Sequence, residues 1–191
     1  LEFRRVLFRS RVGRAGTLRR MDEAQDLLDF ELVDFSAPMD IWDLEQRAPD
    51  GTPYLWAEKL AQRMAPTLVG QGFQMLACLT RHWLRDDGTL NLYGWVQSGR
   101  KAPVAVLSFA GFDDLPAEGL GTDRALANLM VTLIAKFRCG LDIHLESDHD
   151  CPMWANEPRD LDHVAGAQRF DPGCREHLDK EHAPELRAFE A

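Results

Sequence analysis

The chain has 191 residues, 28% of them charged, with 31 Asp and Glu against 22 Lys and Arg and a formal net charge of −9. Such an acidic balance disfavours nucleic acid and anionic membrane surfaces, because phosphate binding rests on Lys and Arg neutralising charge, and no apolar run approaches the roughly 18 residues of a membrane span. Four cysteines in a chain of this length, without a secretory signal, read as free thiols or metal ligands in a reducing, cytoplasmic setting and not as a disulfide framework.

Residues 1–10 (LEFRRVLFRS) look like the in-frame translation of a sequencing-library adapter. They have neither the apolar centre nor the small-residue cleavage site of a secretory signal. Residues 11–20 are basic and without apolar period, and Met21 is the first methionine. The expectation is a non-native leader over 1–20 and a single domain over 21–191. Setting the leader aside leaves 15 basic against 30 acidic residues, which deepens the acidic bias.

Residues 30–35 (FELVDF) alternate apolar and acidic, as a half-buried strand does. Pro38 and the Pro49-Asp50-Gly51 cluster bracket a loop with a short helix. Residues 53–68 then predict a helix, with Pro53 in its first turn and Leu55, Trp56, Leu60, Met64 and Leu68 on one apolar face. Three β-rich runs follow at 73–80, 90–96 and 104–110, separated by Asp86-Asp87-Gly88 and Ser98-Gly99-Arg100. The last is almost wholly apolar, as a strand covered on both faces would be.

A second helix is expected from an N-cap at Thr122 or Asp123 to Cys139, with Gly140 as its stop. Leu126, Leu129, Met130, Leu133, Ile134 and Phe137 give it the strongest helical period in the chain. Beyond Gly140 the residues turn to His, Asp, Glu, Pro and Cys, with one short helix expected near 174–180. Such a segment needs more than apolar packing to hold it. No phosphate loop, dinucleotide fingerprint, nucleophile elbow or Cys-x-x-Cys is present.

Several stretches, in order, carry a resemblance: MLACLTRHWLRDDGTLNLYGWV at 75–96, VAVLSF at 104–109, CGLDIHLESDHDCPM at 139–153 and NEPRDLDHVAGAQRFDPGC at 156–174. Over residues 55–178 the chain resembles the archaemetzincins, small zinc proteases of the metzincin kind. The resemblance implies an α/β fold: one zincin-like domain with a mixed sheet of about four strands, packed helices and an irregular C-terminal segment containing Cys, His and Asp.

The catalytic motif of that family does not follow. Metzincins use H-E-x-x-H-x-x-G-x-x-H, with three His on zinc and the Glu as general base. Framed on Gly140-Leu141, those four positions fall on Leu133, Ile134, Phe137 and Ile143. Apolar side chains cannot ligate zinc, and a single nearby His144, one residue off and read as a remnant of the third ligand, cannot hold it alone. The resemblance therefore implies a catalytically inactive relative, a binding or regulatory protein. Its partner would be a peptide or protein, taken up by strand addition along 90–96 near His144 and Met153.

The family also carries four cysteines: one after the third His, one in Cys-x-Met and a closing Cys-x-x-Cys. Cys151 and Cys174 match the second and the last, and Asp171 stands in place of the third. For the first, the nearest candidates are Glu146, Asp148 and His149. The expected set for a structural zinc is thus His149, Cys151, Asp171 and Cys174; the alternative is an eroded site held by hydrogen bonds and packing. A rearranged hydrolase site from His144, Asp148, His149 and Cys151 is the competing enzymatic reading. Asp160, Asp162 and His163 are expected to make local hydrogen bonds or cap a helix, and His177 and His182 to be solvated.

Overall fold

The computed structural model describes residues 5–9, 19, 23, 29–33, 45–47, 50–68, 75–97, 104–112, 121–145, 150–155, 160–166 and 169–180. The sequence reads as one domain; the chain divides into two compact units, Leu1–Leu18 with Leu28–Gly111, and Arg19–Leu27 with Phe112–Ala191.

The first unit is built on strands. In chain order they are β1 (Arg5–Arg9), β2 (Asp29–Val33), β3 (Glu45–Arg47), β4 (Pro53–Trp56), β5 (Met75–Thr80), β6 (Trp83–Arg85), β7 (Leu90–Leu92), β8 (Gly94–Gln97) and β9 (Val104–Ser108). A five-stranded mixed sheet runs β2-β1-β5-β9-β8. Four of its strands are parallel, and β8 is added antiparallel to β9 at the end, with Gly94 opposite Leu107 and Gln97 opposite Val104. The α/β expectation with a mixed sheet is met. A second sheet of short strands, β3-β4-β6-β7, is one the hydrophobic pattern does not predict.

Strand β1 lies within the segment that the sequence reading sets aside. It pairs in parallel with β2, Val6 opposite Phe30, and with β5, Val6 opposite Met75.

The apolar run in β9 explains its central place. Val104, Ala105, Val106, Leu107 and Ser108 are all at most 1% exposed, as a parallel strand buried on both faces requires. Its one polar member is satisfied: Ser108 Oγ donates to the His82 carbonyl at 2.8 Å and accepts from Ala110 N–H at 3.2 Å. The Asp86 turn between β6 and β7 is a side-chain-closed one, Asp86 Oδ1 accepting from Gly88 N at 2.9 Å and Thr89 N at 2.7 Å.

Two expectations in this unit need correction. The helix foreseen over 53–68 begins later: Pro53–Trp56 is β4, followed by α1 (Ala57–Met64) and a 3-10 turn at Ala65–Leu68. Tyr54, Leu55 and Trp56 pair with β6 on one side and Pro53, Tyr54 and Leu55 with β3 on the other, so sheet pairing overrides a period that α1 then continues. Lys59 and Arg85 both approach the Trp56 ring, at 5.4 and 5.1 Å. Leu60, Ala61 and Met64 of α1 join Leu76, Cys78, Val104 and Val106 of the sheet in one buried cluster.

The single strand foreseen over 90–96 is instead two, β7 and β8, in different sheets with Tyr93 between them. Gly94 opens β8 with its backbone close against β9: a Cβ there would stand 2.8 Å from Leu107 Cδ2.

The second unit is helical: α2 (Gly121–Cys139), α3 (Leu161–Ala165) and α4 (Pro172–Lys180). Leu126, Met130, Leu133 and Ile134 of α2 are buried. The helix begins at Gly121, so Thr122 and Asp123 lie inside its first turn and do not cap it; Asp123 there complements the helix dipole. It ends as foreseen at Gly140, whose φ of +70° and N–H bond to the Lys136 carbonyl (3.1 Å) form a left-handed stop. Asp160 caps α3, accepting from Asp162 N at 3.0 Å and His163 N at 3.2 Å, as its composition predicts.

Asn128 ties α2 to α3. Its two amide N–H groups donate to the Val164 carbonyl (2.7 Å) and the Gly166 carbonyl (3.0 Å). Asn128→Ala should therefore lower the unfolding free energy by about 1–3 kcal/mol, the cost of leaving such acceptors unmade. Urea titration of wild type and variant reads this directly; a loss within a few tenths of a kcal/mol would mean that water replaces the clamp.

Candidate metal centre

The segment after α2 is held by backbone bonds that aim four side chains at one point. His144 forms a parallel bridge with Trp154, donating its N–H to the Met153 carbonyl (3.0 Å) while its own carbonyl accepts from Ala155 N–H (2.8 Å). Cys151 opens a tight turn closed by Trp154 N–H on the Cys151 carbonyl at 3.0 Å. Helix α2 steadies that turn, with Thr132 Oγ1 2.8 Å from the Pro152 carbonyl. Asp171 is the N-cap of α4, Pro172 is its first residue, and Asp171 Oδ1 accepts from Cys174 N–H at 2.8 Å. Capping and site geometry are thus one arrangement: the bond that starts the helix also places Cys174 beside Asp171.

One donor atom from each of His144, Cys151, Asp171 and Cys174 lies within 4.8 Å of every other. Cys151 Sγ and Cys174 Sγ are 3.9 Å apart, His144 Nε2 is 3.4 Å from Cys174 Sγ and 3.0 Å from Asp171 Oδ2. Zinc–sulfur bonds of about 2.3 Å at the tetrahedral angle set two sulfurs about 3.8 Å apart, and a nitrogen and a sulfur about 3.6 Å apart. The Cys151–Cys174 and His144–Cys174 spacings lie close to those values and all four donor atoms fall within 4.8 Å of one another, so the donor set is compatible with zinc in chemistry and size.

Its electrostatics point the same way. Cys151 and Cys174 are free thiols, buried with Asp171, and the His144 side chain is 24% exposed. Burial pushes the Cys151 thiol above its ordinary value, against backbone hydrogen bonds from Asp171 and Met153 that pull it down. Cys174 is pushed up further, by burial first and then by the neighbouring Cys151 and Asp171. Two sulfurs and a carboxylate in a dry site crowd negative charge, and a cation reverses that balance.

Among the expected ligands, Cys151, Asp171 and Cys174 come together, and His149 lies outside the described residues, as do Glu146 and Asp148. The His in the cluster is His144, which the sequence reading takes as a remnant of a different site. A signal for it was present: if Ile143 holds the third-His position, the cysteine that follows that His falls on His144. His177, expected to be solvated, sits half-buried with Nε2 2.6 Å from the Cys139 carbonyl at the end of α2. His182 is outside the described residues. Of the positions framed as lost catalytic residues, Leu133 and Ile134 are buried and Phe137 is half-buried, whereas Ile143 is 51% exposed and not part of a core.

Comparison with protein-family models and with curated proteins finds no match. Solved structures do match. Archaemetzincin from Methanopyrus kandleri superposes with a TM-score of 0.65 at 15% identity, over 95% of this chain and 96% of that one. Archaemetzincin from Archaeoglobus fulgidus, complexed with malonate, gives 0.62 at 14% identity, over 91% and 99%. The fold is archaemetzincin-like. A zinc-dependent peptidase from Methanocorpusculum labreanum also matches, with a TM-score of 0.58 at 16% identity over 92% and 99%. Nearly the whole of the chain takes the archaemetzincin-like fold, and the His/Cys/Asp/Cys group is a possible metal site within it. Among the described residues no helix is long and apolar enough to cross a membrane.

Proposed function

We propose that this chain is a catalytically inactive relative of the archaemetzincin-type zinc peptidases that holds one zinc ion on His144, Cys151, Asp171 and Cys174 and acts as a peptide- or protein-binding module. The observation that carries the reading is the four-donor cluster, three of its members buried, whose donor atoms lie within 4.8 Å of one another. Bound there, the ion supplies a closed staple for the C-terminal segment. Four protein donors fill a tetrahedral sphere and leave no position for an activated water, which argues against the rearranged hydrolase. At the positions framed for a catalytic zinc stand Leu133, Ile134, Phe137 and Ile143, none of which can ligate it.

The proposed binding surface is β8, the antiparallel strand that ends the five-stranded sheet. An edge strand offers a ladder of backbone groups to an extended peptide. At its far end Gln97 Oε1 is buried with no hydrogen-bond partner among the described residues.

Elemental analysis after dialysis is expected to find about one zinc per chain, and a panel of peptide substrates to be left uncut by the zinc-loaded protein. Cleavage that is lost on chelation would overturn the inactive reading; absence of stoichiometric metal would leave the cluster as a hydrogen-bonded remnant. Because both thiols are held protonated above their ordinary range when no ion is bound, loading near pH 7 should release about two protons per zinc. Affinity should then rise with pH, which titration in weak buffer reads.

A further inference from the structure

The two sulfurs of the cluster are placed for a second outcome. Cys151 Sγ and Cys174 Sγ are 3.9 Å apart, both residues are at most 5% exposed, and each is held by its own backbone element, a tight turn and the first turn of α4. Closing that gap to a disulfide takes a contraction of about 2 Å between two sulfurs already in contact. The remaining cysteines are differently set: Cys78 lies within β5 and Cys139 ends α2.

We propose that Cys151 and Cys174 form a reversible disulfide under peroxide, and that closing it ejects the metal, so that the site works as an oxidant-sensitive clasp. The ejection rests on the zinc reading above; the thiol pairing rests on the geometry alone. Cys174 is the first to react, because it lies against His144, the one partly exposed member of the cluster, whereas Cys151 is fully buried. The Cys174 thiolate attacks one peroxide oxygen, the O–O bond breaks, and a sulfenic acid and hydroxide result. The Cys151 thiolate then attacks that sulfur and expels a second hydroxide. Two thiolates lose two electrons in all, and one peroxide is reduced. His144 and Asp171 remain, and two donors are too few to hold zinc. The disulfide would join the turn at Cys151 to α4, so the tail stays tied after the ion has left.

The test is to treat the zinc-loaded full chain with hydrogen peroxide, follow zinc with a colorimetric chelator, and map disulfides by mass spectrometry without reduction. The expected result is one Cys151–Cys174 bond appearing in step with zinc release, with dithiothreitol restoring both thiols and the capacity to rebind zinc. Cys151→Ser should stop at sulfenic or sulfinic acid on Cys174. Zinc lost with sulfinic acids and no disulfide, a bond involving Cys78 or Cys139, or thiols that stay reduced would each overturn the proposal. If the chain proves not to take up zinc, the same map on the metal-free protein still decides the pairing: a Cys151–Cys174 bond there would leave the thiol pair standing and remove only the ion.

Discussion

A chain beginning at Met21 is expected to lose most of its stability and to aggregate when expressed. Strand β1 stands between β2 and β5, so its removal strips β2 of the neighbour to which it is registered over five residues and bares one edge of β5. Met75, Leu76, Ala77 and Leu79 of β5 are buried, and an uncovered apolar edge of this kind is a template for pairing with other chains. The expected loss exceeds the 0.5–3 kcal/mol typical of point changes. Solubility, circular dichroism and urea unfolding of residues 21–191 beside the full chain measure it. A soluble product with an unchanged midpoint would show that β1 is dispensable and that the domain is complete from Met21.

Asp171→Ala should produce the largest effect of any single change at the metal centre, because Asp171 holds two positions at once. Its Oδ1 caps α4 through Cys174 N–H, and its Oδ2 faces His144. Loss of the cap is expected to cost about 1–2 kcal/mol in the metal-free protein. Loss of the donor should weaken zinc binding by well over about tenfold, since changes merely behind the ligands already cost ~10–100-fold. Asp171→Asn separates the two: Asn caps as well as Asp, so metal-free stability should be nearly unchanged while zinc affinity still falls. Urea unfolding with chelator present, together with competitive zinc titration, distinguishes them. Equal zinc affinity in all three proteins would remove Asp171 from the ligand set.

The particular residues show why some of this was legible from sequence. The α2 period at Leu126, Met130, Leu133 and Ile134, the left-handed stop at Gly140 and the apolar run of β9 are local signals, and each becomes the element that it predicts. The strand at Tyr54–Trp56 is different, since nothing within residues 53–68 shows that β3 and β6 lie in wait to pair with it. The break at Tyr93 is likewise invisible locally, since β7 pairs with β6 and β8 with β9, strands that belong to different sheets. At the candidate metal centre, Cys151, Asp171 and Cys174 are residues that the family resemblance singles out, and they lie together. His144, which the sequence offers both as a remnant of the third catalytic ligand and as a further metal candidate, joins them. Only its backbone bridge to Trp154, which turns it toward α4, shows where it belongs.

The four donors fall between residues 144 and 174, after every strand of both sheets has been made, since β9 ends at Ser108. During synthesis at roughly 5–20 residues per second, the sheet strands would be available several seconds before the last donor emerges. The ion, if captured, can be held by all four donors only after Cys174 has been made. Starving a cell of zinc should then accumulate molecules with an assembled sheet and an unclasped tail, rather than chains that never begin to fold.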